Sequence, residues 1–373
     1  MSDELYSVVC VFHVFVAFVV GDFGVFSDDY LPESVVDRDA EKEEVADYLR
    51  KLAGGVVYGS LYVYGPPGVG KTTVCRHVLR QFEGAHPEVP VVYVECAGKS
   101  RYQVLCVFHG AICGQLRRRE TCRELVLRVS GRLRSRGVPL VLALDNFDQA
   151  KEVEKLLWDV LEVSRRSLTP VGLILVSTSG KALQSLVGDR LYSRLAPKPV
   201  EFSPYDEETL KQILAERLDE AYGRRVMADE ALQALAEFAA GHGGNVRLLF
   251  ELFLRAADEA AEQDSKLITA DTAKSVIEAK RREMLALKIQ KLAERNPHLI
   301  ATLNAISELS KNNKAVYTGM VEKLLKQWGI NVTRRSLEYY LHYLKHQGLL
   351  KLEKTRLGRG FTTRISIACH QES

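Results

Sequence analysis

The chain has 373 residues, 46% apolar and 27% charged, a globular composition that excludes a disordered or collagen-like polymer. At roughly 100–200 residues per domain, this length holds two or three domains. A formal charge of +3 selects no class of partner by itself, so its distribution carries the information.

The first feature in chain order is an apolar run, Val8–Val20 (VVCVFHVFVAFVV). It is shorter than the roughly 20 residues of a spanning helix, and it contains His13. It follows Asp3 and Glu4 rather than a basic region, and no A-x-A-like cleavage pattern comes after it. Residues 1–24 therefore read as an apolar N-terminal extension, and no membrane partner is expected. Seven cysteines (Cys10, Cys75, Cys96, Cys106, Cys113, Cys122 and Cys369) form no C-x-x-C pair. They support neither a disulfide scaffold nor a zinc site and read as thiols in a reducing cytoplasm.

Asp39–Leu52 places Val45, Leu49 and Leu52 on one helical face, and Gly54-Gly55 ends it. Val56–Tyr64 is β-branched and aromatic and reads as a buried strand. A Gly/Pro turn and a helix over Lys71–Phe82 follow. Val91–Val94, Leu140–Leu144 and Leu173–Val176 are further runs of core-strand type, and Tyr102–Leu133 holds helical material. Strands alternating with helices predict a parallel sheet covered on both faces. After Pro204 the pattern is helical, over Glu207–Ala221, Ala228–Ala240, Asn245–Ala261 and Thr269–Glu278. A charged helical stretch, Ala279–Glu294, leads to helices over His298–Leu309, Tyr317–Trp328 and Thr333–Gln347. Strands Leu349–Lys354 and Phe361–Ile367, joined by a glycine turn, close the pattern.

Gly65-Pro66-Pro67-Gly68-Val69-Gly70-Lys71-Thr72 fits G-x-x-x-x-G-K-[ST] between a predicted strand and a predicted helix. Its glycines let the backbone wrap closely, so that N–H groups meet phosphate oxygens, and the helix N-terminus adds partial positive charge. Gly65, Gly68, Val69, Gly70, Lys71, Thr72 and Thr73 are the candidate nucleotide-binding residues. Lys71 serves the β- and γ-phosphates, and Thr72 offers its hydroxyl to Mg2+. Asp145, at the end of the run Val141–Leu144, is the second candidate metal partner, acting through water. In hydrolases of this type the next position usually carries an acid that orients the attacking water; here it is Asn146. Asn cannot take a proton from water, so weak turnover is expected unless Asp148 substitutes. Asp148 also fits a solvated loop acid.

Further stretches resemble the archaeal origin-recognition and helicase-loader initiators, AAA+ ATPases with a C-terminal winged helix, from about Val25 to Ile367. Asp29-Tyr30-Leu31-Pro32 with Arg38 looks like that family's leading segment beside the adenine. Tyr93-Val94-Glu95-Cys96 is similar to its second core strand. Ser179 stands where the family usually carries a sensor Asn, and its shorter side chain has less reach. Arg190 and Arg194 (DRLYSRL) lie in the stretch that supplies an arginine finger to a neighbouring subunit, and Arg194 is assigned that role. Phe202-Ser203-Pro204-Tyr205 and Arg217 resemble the start of the lid, and Gly244-Asn245-Val246-Arg247 the second sensor. The resemblance implies that Arg38, Tyr205 and Arg217 help hold the nucleotide and that Arg247 reaches the γ-phosphate. The departures at Asn146 and Ser179 concern hydrolysis rather than binding, so firm binding of ATP or ADP with slow cleavage is expected.

Gln290–Ile367 carries 14 Lys or Arg against 5 acids, the electrostatic footprint of a nucleic-acid partner. Thr333 can cap the third helix, which puts Arg334, Arg335 and Ser336 on its first turn. In helix-turn-helix folds that end meets base edges. Lys351, Lys354, Arg356, Arg359 and Arg364 belong to the two-stranded wing. Thr333, Arg334, Arg335, Ser336, Arg356 and Arg359 are the candidate DNA contacts. Tyr339, Tyr340 and Tyr343 read mainly as packing residues and Trp328 as core.

The expected fold is α/β. An AAA+ P-loop NTPase parallel-sheet domain covers residues 25–203, an all-helical lid 204–284 and a winged-helix domain 285–373. The resemblance implies an ATP-regulated replication initiator, cytoplasmic and nucleoid-associated, with ATP/ADP and Mg2+ as ligands. Its implied partners are double-stranded origin DNA, an MCM-type replicative helicase that it recruits or loads, and other initiator subunits. Two alternatives stay open: a nucleotide-gated DNA-binding regulator without helicase loading, and an ATP-driven remodeller whose winged helix binds protein.

Overall fold

The structure, a computed structural model, describes residues 22–56, 59–116, 120–178, 182–312, 315–357 and 360–367. The apolar run Val8–Val20, Ser179 and Arg359 lie outside the described residues. The chain divides into two compact units between Ile277 and Glu278.

The first unit begins with α1 (Asp39–Ala53), β1 (Ser60–Tyr64), α2 (Lys71–Ala85) and β2 (Val91–Glu95). It continues through α3 (Arg101–Cys113), α4 (Cys122–Arg136), β3 (Leu140–Asp145), α5 (Val153–Ser167), β4 (Val171–Ser177), α6 (Ala182–Leu195) and β5 (Lys198–Glu201). The strands make one parallel sheet in the order β2-β3-β4-β1-β5. β3 and β4 are buried along their whole length, as central strands with helices on both faces must be. Leu140, Leu142 and Leu144 pack with Leu105, Phe108, Leu125, Leu156 and Leu157 in one core. Register sets Glu95 beside Asp145 and Tyr64 beside Ser177. The carboxyl ends of β2, β3, β4 and β1 thus share one edge, where ligands of open α/β sheets bind.

Local chemistry accounts for the differences from the sequence expectation. The helical material over Tyr102–Leu133 is two helices. Gly114, at φ +79°, ends α3, and a capping box between Thr121 and Glu124 starts α4. The strand expected from Val56 begins at Ser60. α5, α6 and β5 are absent from the expected elements. α5 is nonetheless amphipathic, burying Val153, Leu156, Leu157, Val160 and Val163, whereas β5 (Lys-Pro-Val-Glu) buries only Val200 and carries its proline as an edge strand can.

The lid of this unit comprises α7 (Glu207–Tyr222), α8 (Asp229–Gly241), α9 (Val246–Glu262) and the start of α10 (Ala270–Arg295). Side chains of Asp206 and Asn245 cap α7 and α9. Leu210, Leu214, Leu235, Leu249, Leu252 and Phe253 are buried in it. The leading segment packs on the same helices: the Phe26 ring lies 5.4 Å from Phe250 and 4.7 Å from Phe253. α10 joins the expected helix Thr269–Glu278 and the charged stretch after it into one, since no Gly or Pro interrupts them.

The second unit holds α11 (Pro297–Asn312), β6 (Val316–Tyr317), α12 (Thr318–Gln327), α13 (Arg334–His346), β7 (Leu350–Leu357) and β8 (Gly360–Ile367). Its sheet is antiparallel in the order β6-β8-β7, so three helices carry a two-stranded wing, a winged-helix layout. Ile306, Val321, Leu325, Leu337, Leu341, Leu344 and Ile365 form its core. Two packing expectations change. Trp328 is 40% exposed at the end of α12, and Tyr339 is 62% exposed. Leu337, Leu341 and Leu344 occupy the inward stripe of α13, which leaves Tyr339 facing out while Tyr340 and Tyr343 lean on the core.

Leu142 is fully buried in the central strand. Leu142→Ala should destabilise the first unit by about 2–5 kcal/mol, read as an earlier thermal or urea transition; a midpoint equal to wild type would contradict this core assignment.

Candidate nucleotide site

The phosphate loop leaves β1 at Tyr64 and enters α2 at Lys71. Gly68 and Gly70 have φ of +76° and +85°, a region that favours glycine. Space forbids a side chain as well. A Cβ at Gly68 would stand 1.8 Å from Asn245 Oδ1, and one at Gly70 would stand 2.6 Å from the Tyr205 hydroxyl. The loop therefore lies directly against the lid. The Val246 N–H donates to the Gly68 carbonyl at 3.0 Å, while Asn245 Oδ1 accepts from the N–H groups of Arg247 and Leu248 at 3.0 and 3.3 Å.

Lys71 is 7% exposed, and its Nζ donates to the carbonyls of Gly65 at 2.8 Å and Pro66 at 2.6 Å. Burial pulls its pKa down to about 8, with the Asp145 carboxylate opposing. Thr72 Oγ1 donates to Asp145 Oδ2 at 2.7 Å, and the Tyr93 hydroxyl donates to the same oxygen. Burial, then Asp145, raise the Tyr93 pKa. Asp145 Oδ1 accepts from the Asn146 backbone N–H at 2.9 Å. A glycine cradle, a buried cation and a hydroxyl–carboxylate pair converge here, and these residues fit a nucleotide with Mg2+. Among the described residues no cluster of three or more His, Cys, Asp or Glu could hold a metal. Thr72 and Asp145, with phosphate oxygens, would hold Mg2+.

One cavity brings these groups together. Gly68, Gly70, Lys71, Thr72 and Thr73 line it from the loop, and Tyr205, Arg217, Val246 and Arg247 from the lid. Asn146 and Thr178 close the strand edge, and Asp28 and Tyr30 the leading segment. Gly65 precedes the cradle, and Val69 is fully buried beneath it. Arg247 Nε donates to Asp28 Oδ1 at 2.8 Å. Arg217 pairs with Glu220 at 2.6 Å and lies 4.9 Å from the Tyr30 ring centre, while the Tyr30 hydroxyl donates to the same Glu220.

Other candidates fall elsewhere. Arg38 does not line the cavity. It is buried, at φ +67°, with its guanidinium 4.0 Å from the Tyr205 ring centre and donating to the Ser203 carbonyl at 2.5 Å. It meets the site from behind, through Tyr205 and Phe202. Arg194 is exposed on α6, outside the cavity, and Arg190 lies 5.7 Å over the Trp158 ring. Asp148 is half-buried, has an Oδ1 without a hydrogen-bond partner, and does not line the cavity. Asp28 and Thr178 line the cavity although sequence reasoning did not name them. Asn245, Tyr93 and Glu95 enter the sequence reading only within longer motifs, and their contacts arise through tertiary packing and strand register.

In the second unit Thr333 Oγ1 accepts from the Ser336 N–H at 3.2 Å, so the cap forms as expected. Arg334 lies 3.5 Å from Glu338, and Arg335 is exposed at the same helix end. Arg356 is exposed on β7.

Known proteins match this arrangement. The AAA domain family matches residues 57–186, and the Cdc6 AAA+ ATPase-type lid domain family matches residues 211–281. An ORC1-type DNA replication protein of Methanothermobacter thermautotrophicus is 25% identical over 342 residues, 90% of this chain and 89% of that protein. ORC1-type DNA replication protein 1 of Halobacterium salinarum is 28% identical over 78% of this chain and 91% of that protein. The chain is thus similar to the archaeal Orc1/Cdc6 type of AAA+ protein over most of its length. Its fold agrees with solved structures of that type. The Aeropyrum pernix ORC1 protein in complex with DNA has a TM-score of 0.62 at 23% identity, covering 94% of each chain. The Aeropyrum pernix ORC2 protein, solved as ADPNP–ADP complexes, also has 0.62, at 17% identity and 95% coverage of each. Nucleotide binding is what an AAA+ domain implies. Among the described residues no helix is long and apolar enough to cross a membrane.

Gly68→Ala should weaken nucleotide binding by at least about tenfold, because a Cβ both strains φ and displaces Asn245. Titration with a fluorescent ATP analogue measures this; wild-type affinity would show that the loop does not need its contact with the lid.

Proposed function

We propose that this Orc1/Cdc6-type protein is a replication initiator in which a nucleotide, held between sheet domain and lid, regulates binding to double-stranded origin DNA. Recruitment or loading of an MCM-type helicase is the downstream step of the same reading. The observation that carries it is the direct seating of the lid residues Tyr205, Asn245 and Val246 on the phosphate loop, beside Lys71 and the Thr72–Asp145 pair. A nucleotide at this seam contacts both parts and so biases their arrangement to the extent that its affinities for the two states differ.

Lys71 holds the β- and γ-phosphates, Thr72 and Asp145 hold Mg2+, and Arg217 and Tyr205 take the base and ribose end. Arg247 exchanges Asp28 for the γ-phosphate. Arg194, exposed on α6, completes the nucleotide site of a neighbouring subunit, and Ser179 serves as the polar sensor. Asn146 in place of an acid makes cleavage slow. Sheet domain, lid and winged helix correspond to residues 25–203, 204–284 and 285–373.

In the winged helix, Thr333, Arg334, Arg335 and Ser336 meet a DNA groove, and Arg356 and Arg359 of the wing meet backbone phosphates. The 14 basic residues against 5 acids over Gln290–Ile367 support this reading, as does the solved relative in complex with DNA. The double variant Arg335→Glu with Arg356→Glu should weaken duplex binding and flatten the slope of log affinity against log salt by about 0.9 per lost phosphate contact. Fluorescence anisotropy across a salt series measures both; an unchanged slope and affinity would remove DNA from the account.

A further inference from the structure

The position after Asp145 holds an amide, yet a carboxylate stands next to it. β2 and β3 run parallel with Glu95 opposite Asp145. Asn146, one residue on, leaves the strand in the left-handed region at φ +48°. Its backbone N–H is held by Asp145 Oδ1 at 2.9 Å, and its side-chain Nδ2 donates to Glu95, 3.3 Å from Oε1 and 3.2 Å from Oε2. The Ala97 N–H fixes the same carboxylate from the other side, at 2.9 Å from Oε1. Among the described residues no ion pair engages Glu95. Asp145 is already committed to Thr72, Tyr93 and the Asn146 N–H, and Asp148 does not line the cavity. Glu95 does not line it either, but Asn146 does, so Glu95 is one hydrogen bond from the cavity wall, whereas Asp148 Oδ1 has no partner.

We propose that Glu95 supplies the carboxylate that accepts the proton of the attacking water in ATP cleavage, with Asn146 as the positioning residue that holds it at the strand edge. The proposal rests on the reading of the cavity as an ATP site. The water oxygen bonds to the γ-phosphorus as the bond from that phosphorus to the bridging oxygen breaks. ADP leaves with that electron pair, and the water proton passes to the Glu95 carboxylate and then to solvent. The carboxylate missing from the position after Asp145 thus stands on the neighbouring strand end, and the slow cleavage proposed above runs through it.

The test compares wild type, Glu95→Gln, Lys71→Ala and the exchanged pair Glu95→Asn with Asn146→Glu, in the full chain with Mg2+. Three quantities are read: binding of a fluorescent ATP analogue, the preference for ADP with aluminium fluoride over ADP alone, and steady-state phosphate release. Aluminium fluoride copies the transferring phosphoryl group with its in-line water, so its binding reports the carboxylate without turnover. Glu95→Gln should keep ATP affinity, lose the preference for aluminium fluoride and release phosphate about 10²-fold more slowly. The exchanged pair should restore both. Phosphate release and aluminium fluoride preference at wild-type levels in Glu95→Gln would overturn the proposal. So would a wild type that binds ATP yet releases no more phosphate than Lys71→Ala, an outcome that leaves the initiator reading standing. Failure of wild type to bind ATP would instead overturn the nucleotide site itself.

Discussion

The first unit depends on the close approach of a glycine loop to the lid. Gly68 touches Asn245, Gly70 touches the Tyr205 hydroxyl, and the Val246 N–H bonds to the Gly68 carbonyl. A side chain at either glycine would push the lid away and force a strained φ. The glycines therefore do two things at once. They bring the loop backbone to the cavity wall, and they let residues about 140 to 180 positions later in the chain become part of the same wall. Arg38 reinforces the seam from behind, stacked on Tyr205 and bonded to Ser203.

The charges around the cavity are not equivalent. Lys71 is buried and held by two carbonyls, so its placement is fixed and its charge is costly enough to depress its pKa. Arg247 and Asp28 are more than half exposed and pair across the mouth, where such a contact contributes no more than about 1 kcal/mol and yields easily to a phosphate. Thr72, Asp145 and Tyr93 form a third group, in which one carboxylate oxygen accepts two hydroxyls. A fixed cation, an exchangeable cation and a preset hydroxyl–carboxylate pair suit a ligand that is bound firmly and sensed at its terminal phosphate.

Much of this was legible in the sequence, and the exceptions have physical causes. The phosphate loop is contiguous, so its motif carries its own geometry, and the strand ending at Asp145 is apolar enough to read as central. Tyr205, Arg217 and Arg247 came from a resemblance, since only folding brings them to the loop, and the cavity does include them. Arg38 does not reach the cavity because a left-handed backbone at the start of α1 turns it behind Tyr205, which no spacing rule reveals. The pairing of Glu95 with Asn146 depends on the register of two strands 45 residues apart, Val91–Glu95 and Leu140–Asp145. On α13 the tyrosines and leucines alternate so closely that Tyr339 reads as packing, and only the stripe of Leu337, Leu341 and Leu344 shows it faces solvent.

The proposed function rests on one coupling, in which nucleotide at the loop–lid seam would govern how the protein engages origin DNA. Footprinting on genomic origin fragments, with and without ATP, measures it most directly. The account predicts a protected site whose extent or affinity changes on adding ATP, and no such change in Lys71→Ala. A footprint indifferent to ATP in the wild-type protein, or no protection of origin DNA in either state, would contradict it.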